Sequence, residues 1–330
     1  MSYLLLSKGE KLAYQCWGKG NIKKVLCLHG WMDNSSTMHH LGPKLAQGGF
    51  ETTAIDFLGH GLSDHAPLNS YNHFGHYAVH VKEVVDQIRS SNEKVHLIGH
   101  SMGGAVALMF AAAYPEIIDR LVMIESVGPM THSPEHAAND IRKAIDSQIA
   151  FDISRPSRSY KLDDAVNARM MTAKNFPGDQ YLTKEAASLL VQRGTKNVSD
   201  GLIQFTHDKR LTTPSFNYYV PSQVNAFFEA LQSETLIVQA DNGWPFSQTQ
   251  YNINKHILER KKLLTHIKLP GSHHLHLDSD TTGAVSGAIN SFFNHGRNNV
   301  FNTTGATNVN AIPSVKNTED VISQEAVAHL

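Results

Sequence analysis

Cysteine is scarce in this chain of 330 residues: there are two, Cys16 and Cys27, both in stretches of strand character. So few thiols exclude a disulfide-stapled scaffold and are expected as buried free thiols, which suits a reducing or peroxisome-like compartment. Net charge is nearly absent too. At −1, it gives no electrostatic reason to expect nucleic acid or an anionic membrane surface as partner. No apolar run approaches the ~18 residues of a membrane helix, so no membrane span is expected. Leu4-Leu5-Leu6 is too short for a signal-peptide core and no basic segment precedes it, so the chain is not expected to be secreted. The sequons at Asn34, Asn197 and Asn302 accordingly lack a secretory context.

What remains is ordinary globular material, 41% hydrophobic and 18% charged, long enough for one large core with an inserted unit. Strand patterns occur at 2–6, 11–17, 23–28 and 50–56, and a helical stripe at 77–89 carries Val81, Val84, Val85 and Ile88. Further strands read at 95–98, 120–125, 235–238 and 263–269, and a last helix at 284–293. This alternation predicts a mostly parallel sheet with helices on both faces. Between 126 and 233 only helical patterns are found, at 135–151, 162–173, 184–193 and 223–232. The chain therefore divides into a core of 1–126 and 234–296, a helical cap or lid of 127–233, and a disordered tail of 297–330. The tail ends Ala328-His329-Leu330, a small–basic–leucine tripeptide of the kind a peroxisomal import receptor reads; otherwise a cytoplasmic location is expected.

The chemistry centres on Val95-His96-Leu97-Ile98-Gly99-His100-Ser101-Met102-Gly103-Gly104. An apolar strand stops at Gly99, a serine follows, and a small-residue helix with Ala105, Ala107 and Ala111 begins at once. That is the G-x-S-x-G nucleophile elbow, where a sharp turn lifts the serine hydroxyl into the open. A serine needs a base near the working pH, which selects histidine. Of twenty histidines, His273 is placed best, because it follows the Gly271-Ser272 turn after the last strand. His274, His276, His39 and His40 could instead be metal ligands, but no strong ligand spacing is present and neither metal nor cofactor is expected. An oxyanion hole needs two backbone N–H groups, expected from Met102, after the serine, and from Trp31 in His29-Gly30-Trp31.

In this order, His29-Gly30-Trp31, the segment 56–64, the elbow and Gly271-Ser272-His273 resemble an α/β-hydrolase. More narrowly the chain resembles the serine-hydrolase-like (kraken-related) branch. That likeness extends into Arg193-Gly194-Thr195-Lys196, Phe205-Thr206-His207-Asp208-Lys209-Arg210-Leu211 and Pro214. It covers about residues 3–295. The resemblance implies an α/β-hydrolase fold with an inserted helical cap, and hydrolysis of small ester-like substrates, in some members inside peroxisomes. It also implies that segment 56–64 is a structural turn.

The acid departs from the family pattern. Its usual place after the strand at 235–238 is taken by Gly243, and Asp241 comes two residues early, about 6–7 Å away along an extended chain. Glu125 ends the preceding strand, a position some relatives use, and is preferred, with Asp241 as the alternative. The expected function is a serine hydrolase of a carboxylic ester or thioester, through Ser101, His273 and Glu125 with the N–H groups of Trp31 and Met102. A ligand-binding or scaffold protein of the same fold is the alternative. Ser101 in place of an ester-forming Asp disfavours a dehalogenase. In the cap, Met170, Met171, Phe205, Phe227 and Phe228 are expected either in core packing or around an acyl pocket.

Overall fold

The structure, a computed structural model, describes residues 2–67, 70, 74–297 and 307–308. Six strands lead off: β1 (Ser2–Leu5), β2 (Lys11–Trp17), β3 (Lys23–Leu28), β4 (Phe50–Ile55), β5 (Val95–His100) and β6 (Ile118–Ile124). Among them lie α1 (Leu41–Gln47), α2 (His76–Ile88) and α3 (Met102–Ala113). The chain then leaves the sheet for α4 (Ala137–Ala150), α5 (Leu162–Lys174), α6 (Lys184–Arg193), β7 (Thr195–Ser199), β8 (Leu202–Phe205) and α7 (Pro221–Ala230). It returns with β9 (Glu234–Asn242), α8 (Gln248–Arg260), β10 (Leu264–Ser272), α9 (Thr282–His295) and the two-residue β11 (Thr307–Asn308).

Nine strands make one sheet in the order β1-β2-β4-β3-β5-β6-β9-β10-β11. The run from β4 to β10 is parallel, while β1, β2 and β11 pair antiparallel at the edges. A parallel strand covered on both faces is mostly apolar, and β5 is buried at every position, with His96 and His100 its polar members. One face packs on α2, α3, α7 and α8 through residues such as Val84, Val106, Phe228 and Leu258. The other packs on α1 and α9 through Leu41, Leu45, Ile289 and Phe292. Each such buried side chain contributes roughly 1.5–3 kcal/mol of transfer free energy. The inserted segment keeps its own small core of Ala165, Val166, Leu190, Val191 and Ile203.

Four elements escape the sequence reading: β7, β8, α8 and the two-residue β11. The segment 126–233 contains a β-hairpin, β7–β8, turning at Asp200-Gly201 with φ of +49° and +72°. Asp-Gly between strand-forming residues is a type I′ hairpin signal, so the information was present and was masked by the helices around it. Helix α8 was not expected because it buries Asn254 and Lys255 along with Tyr251, Ile257 and Leu258, which blurs its apolar stripe. Cys16 and Cys27 are free, the first half-buried and the second buried. Most of the expected tail, including Ala328-His329-Leu330, lies outside the described residues; within it, β11 pairs with Ile267 and Lys268. Among the described residues no helix is long and apolar enough to cross a membrane.

Buried arginine–carboxylate pairs fasten the inserted segment to the sheet. Arg193 at the end of α6 donates its Nε to both oxygens of Asp56, at 3.0 Å each. Asp56, fully buried, also accepts the backbone N–H groups of Ser35 at 2.7 Å and Leu62 at 2.8 Å. Arg169 of α5 donates its Nη2 to Oδ1 of Asp33. The turn 56–64 is thus an anchor for the inserted segment as well as a turn. Losing one member of a buried pair leaves the other uncompensated, so Arg193→Met is expected to lower stability by about 3 kcal/mol in urea unfolding. A loss below about 1 kcal/mol would show that the pair holds nothing.

Candidate active site

Ser101 sits between β5 and α3 with φ +51° and ψ −118°, outside the regions an L-residue ordinarily occupies. Its N–H donates to the Ile124 carbonyl at 3.0 Å, and its own carbonyl accepts from Gly104 and Ala105 at 2.9 and 3.2 Å. The turn also demands bare backbone around it. A Cβ on Gly99 would stand 2.3 Å from the Gly103 carbonyl oxygen, and one on Gly103 would stand 2.3 Å from that of Leu28. Only glycine admits this approach.

His273 follows directly on β10, and its Nδ1 lies 3.1 Å from Glu125 Oε2. Glu125 directly follows β6 and is itself in the left-handed region, at φ +49°. Its carboxylate is buried and fixed by two backbone donors, Ala240 N–H on Oε1 and Trp244 N–H on Oε2, both at 2.7 Å. Gly243 explains the departure from the usual acid position. A Cβ there would lie 2.4 Å from both Glu125 oxygens, so any side chain at 243 would collide with the carboxylate that comes from the neighbouring strand. Asp241 is exposed at the end of β9 and pairs with Lys268 at 3.5 Å. The structure brings Glu125 to His273 and leaves Asp241 on the surface.

The loop after β3 faces the same space. His29 Nε2 accepts the Phe57 N–H at 2.9 Å, which puts the proton on Nδ1, 2.7 Å from the Gly30 carbonyl. Among the described residues the Trp31 N–H meets no protein acceptor, and the Met102 N–H lies in the first turn of α3, where helical geometry leaves it unpaired. The left-handed residue of this loop is Met32, at φ +61°, not Gly30. Gly30 serves close approach instead: a Cβ on it would meet His100 Nδ1 at 3.0 Å and Asp33 Oδ2 at 3.3 Å.

A cavity of about 320 Å³ opens over Ser101, His273 and Glu125, walled by Trp31, Phe74, Met130, Tyr218, Trp244 and Phe246. None of the five cap residues considered for such a pocket lines it. Phe228 is in the main core, with Phe227 packed against it; Met170 and Phe205 pack on the cap's core, and Met171 is exposed. A larger hollow of about 530 Å³, on the cap around Arg155, Tyr160 and Lys209, includes none of the three.

Behind Ser101 lies a buried polar cluster of which the sequence singles out His274 and His276 but not Asp33 or His100. His274 Nε2 is 3.0 Å from Asp33 Oδ2, His100 Nδ1 is 3.6 Å from the same oxygen, and His276 Nε2 is 2.8 Å from Thr37 Oγ1. Asp33, His100 and His274 lie close enough together to hold a cation, but Arg169 already neutralises their only carboxylate. A divalent ion there would add two charges to a buried site with no anion left to balance them, so the cluster does not fit a metal. His40 pairs with Glu185 at 3.2 Å instead. Burial pushes the Asp33 carboxyl up, but His274 and Arg169 beside it outweigh this and hold the carboxyl well below its ordinary value. Burial lowers His100 to about 3 and keeps His274 and His276 below their ordinary value as well.

With this geometry in hand, residues 23–280 match the family model described as alpha/beta hydrolase fold, and the chain belongs to that family. Within the family it stands in the serine-hydrolase-like branch. A serine hydrolase-like protein of Danio rerio is 32% identical over 290 residues, 86% of this chain and 85% of its own. Serine hydrolase-like protein 2 of Homo sapiens is 28% identical across 85% of this chain and 90% of its own. The solved structure of a hypothetical protein from Pseudomonas aeruginosa PAO1 superposes with a TM-score of 0.78 at 33% identity, covering 88% of this chain and 98% of that one. Fold and relatives together place the chain among the hydrolases.

The buried histidines make stability depend on acid. His96 and His266, pushed to about 4 by burial, and His100, to about 3, stay neutral in the fold where the unfolded chain takes protons near pH 6.5. A lowered folded pKa means stability is intact above 6.5 and falls as pH drops toward 4, by up to about 1.4 kcal/mol per pH unit for each group. Urea midpoints should therefore fall steadily from pH 7 to pH 4.5. A flat profile would contradict the burial of these rings.

Proposed function

We propose that the protein is a serine hydrolase that cleaves a carboxylic ester or thioester through an acyl-enzyme. Ser101 attacks the carbonyl carbon, and His273 Nε2 takes the hydroxyl proton and returns it to the departing alcohol or thiol. Glu125 holds His273 Nδ1–H, fixes the tautomer and stabilises the imidazolium that forms. The N–H groups of Trp31 and Met102 receive the oxyanion, and water then repeats the sequence on the acyl-enzyme. The observation that carries this reading is the His273–Glu125 contact of 3.1 Å at the floor of the cavity that Ser101 also lines. The largely apolar wall suits an acyl chain, and a volume of about 320 Å³ suits a small or medium one.

A fluorophosphonate probe is expected to label wild type on Ser101 and to leave Ser101→Ala unlabelled; an unlabelled wild type sinks the enzyme reading and favours a ligand-binding protein of the same fold. Removing the acid of such a triad costs on the order of 10⁴ in turnover, so Glu125→Gln should be crippled. Asp241→Asn should stay within a few-fold of wild type. Gly243→Ala should fold yet lose most activity, because its methyl displaces the Glu125 carboxylate. Ester hydrolysis by the purified variants decides among these, and a crippled Asp241→Asn beside an active Glu125→Gln would move the acid to Asp241.

A further inference from the structure

We propose that Asp33 is a positioning residue through which the cap controls assembly of the catalytic centre, with Arg169 as the cap's side of that control. The inference rests on the serine-hydrolase reading above and adds to it a residue pair outside the triad.

Four parts of the site come within reach of this one buried residue, one through its backbone and three through its carboxylate. Asp33 closes the oxyanion loop itself, its N–H donating to the Gly30 carbonyl at 3.2 Å around Trp31. Its Oδ2 accepts from His274 Nε2 at 3.0 Å, and His274 is the neighbour of the base His273. The same oxygen lies 3.6 Å from Nδ1 of His100, the neighbour of the nucleophile. His100 in turn spans to the base: its Nε2 is 2.9 Å from the His273 carbonyl, which can only accept, so Nε2 carries the proton. The fourth part is the cap, whose Arg169 on α5 donates to Asp33 Oδ1. Asp33 is 3% exposed, and among the described residues Arg169 is the one arginine or lysine that pairs with it.

An ionised carboxylate in such a place is stable only with a counter-charge. While α5 is seated, Arg169 keeps Asp33 ionised and aimed at His274 and the oxyanion loop. When the guanidinium is withdrawn, Asp33 must take a proton or turn toward water, and its bond from His274 weakens. Displacements of about 1 Å at a reacting centre cost roughly 100-fold in rate. The pair therefore makes full reactivity conditional on a seated cap.

The second clamp supplies the control. Arg193 and Asp56 tie cap to sheet with the same chemistry, but the other partners of Asp56 are the N–H groups of Ser35 and Leu62, neither adjacent to Ser101 or His273. Loosening that clamp should disturb substrate entry and leave the chemical step alone.

The test follows covalent labelling by a fluorophosphonate and separates the rate of the covalent step from the concentration giving half saturation. Thermal unfolding of each variant confirms its fold. Arg169→Met should slow the covalent step about 100-fold with half saturation within about 3-fold of wild type. Asp33→Asn, which keeps the side chain's shape, should match it, and Arg169→Lys, which keeps the charge, should recover to within about 10-fold. Arg193→Met should leave the covalent step within about 3-fold and raise the half-saturation concentration. If Arg169→Met does not fold, Asp33→Asn and Arg169→Lys decide. Equal slowing by Arg169→Met and Arg193→Met, or a change in half saturation alone, overturns the inference while leaving the serine-hydrolase reading intact. A wild type that does not label overturns both.

Discussion

A carboxylate sealed from water must be met by donors, and this molecule is organised by three that are. Glu125, Asp33 and Asp56 are each no more than 3% exposed. Each draws together segments distant in sequence. Glu125 gathers the ends of β6 and β9 and the start of the loop after β10; Asp33 joins the loop after β3 to α5 and His274; Asp56 joins the turn after β4 to α6. An unpaired buried charge costs several kcal/mol, so each contact is obligatory once the backbone folds. Their shared consequence is that the cavity floor around Ser101 and the inserted segment are positioned by the same kind of bond.

Strain is concentrated where chemistry is proposed. Among the described residues, three of the five non-glycine residues with positive φ are Met32, Ser101 and Glu125, which belong respectively to the proposed oxyanion loop, nucleophile turn and acid. Such conformations cost of order 1–3 kcal/mol each and persist only when surroundings over-determine them. Here the surroundings are the parallel sheet: β3, β5 and β6 lie side by side, and all three strained residues lie just beyond their carboxyl ends. The sheet's buried core thus supplies the free energy that holds the site in a reactive shape.

How much of this was legible follows from range. The elbow reads from ten consecutive residues, because strand, glycine, serine and small-residue helix are local signals. His273 follows from its place after the last parallel strand. The choice between Glu125 and Asp241 could be narrowed in sequence but not made, since it turns on which side chain faces His273 across 148 residues of chain. The Arg169–Asp33 and Arg193–Asp56 pairs, separated by 136 and 137 residues, left no local trace at all. The Asp200-Gly201 hairpin is the opposite case, a local signal that a uniform helical reading of the cap overrode.

The most direct test of the account is the crystal structure of the protein inactivated by an alkyl phosphonate. The account predicts phosphorus bonded to Ser101 Oγ, and the phosphoryl oxygen about 2.7–3.1 Å from the N–H groups of both Trp31 and Met102. It also predicts His273 still bonded to Glu125 and the alkyl chain lying against Phe74, Tyr218 and Trp244. Phosphorus on any other residue, an oxygen out of reach of both N–H groups, or His273 turned to Asp241 would contradict it.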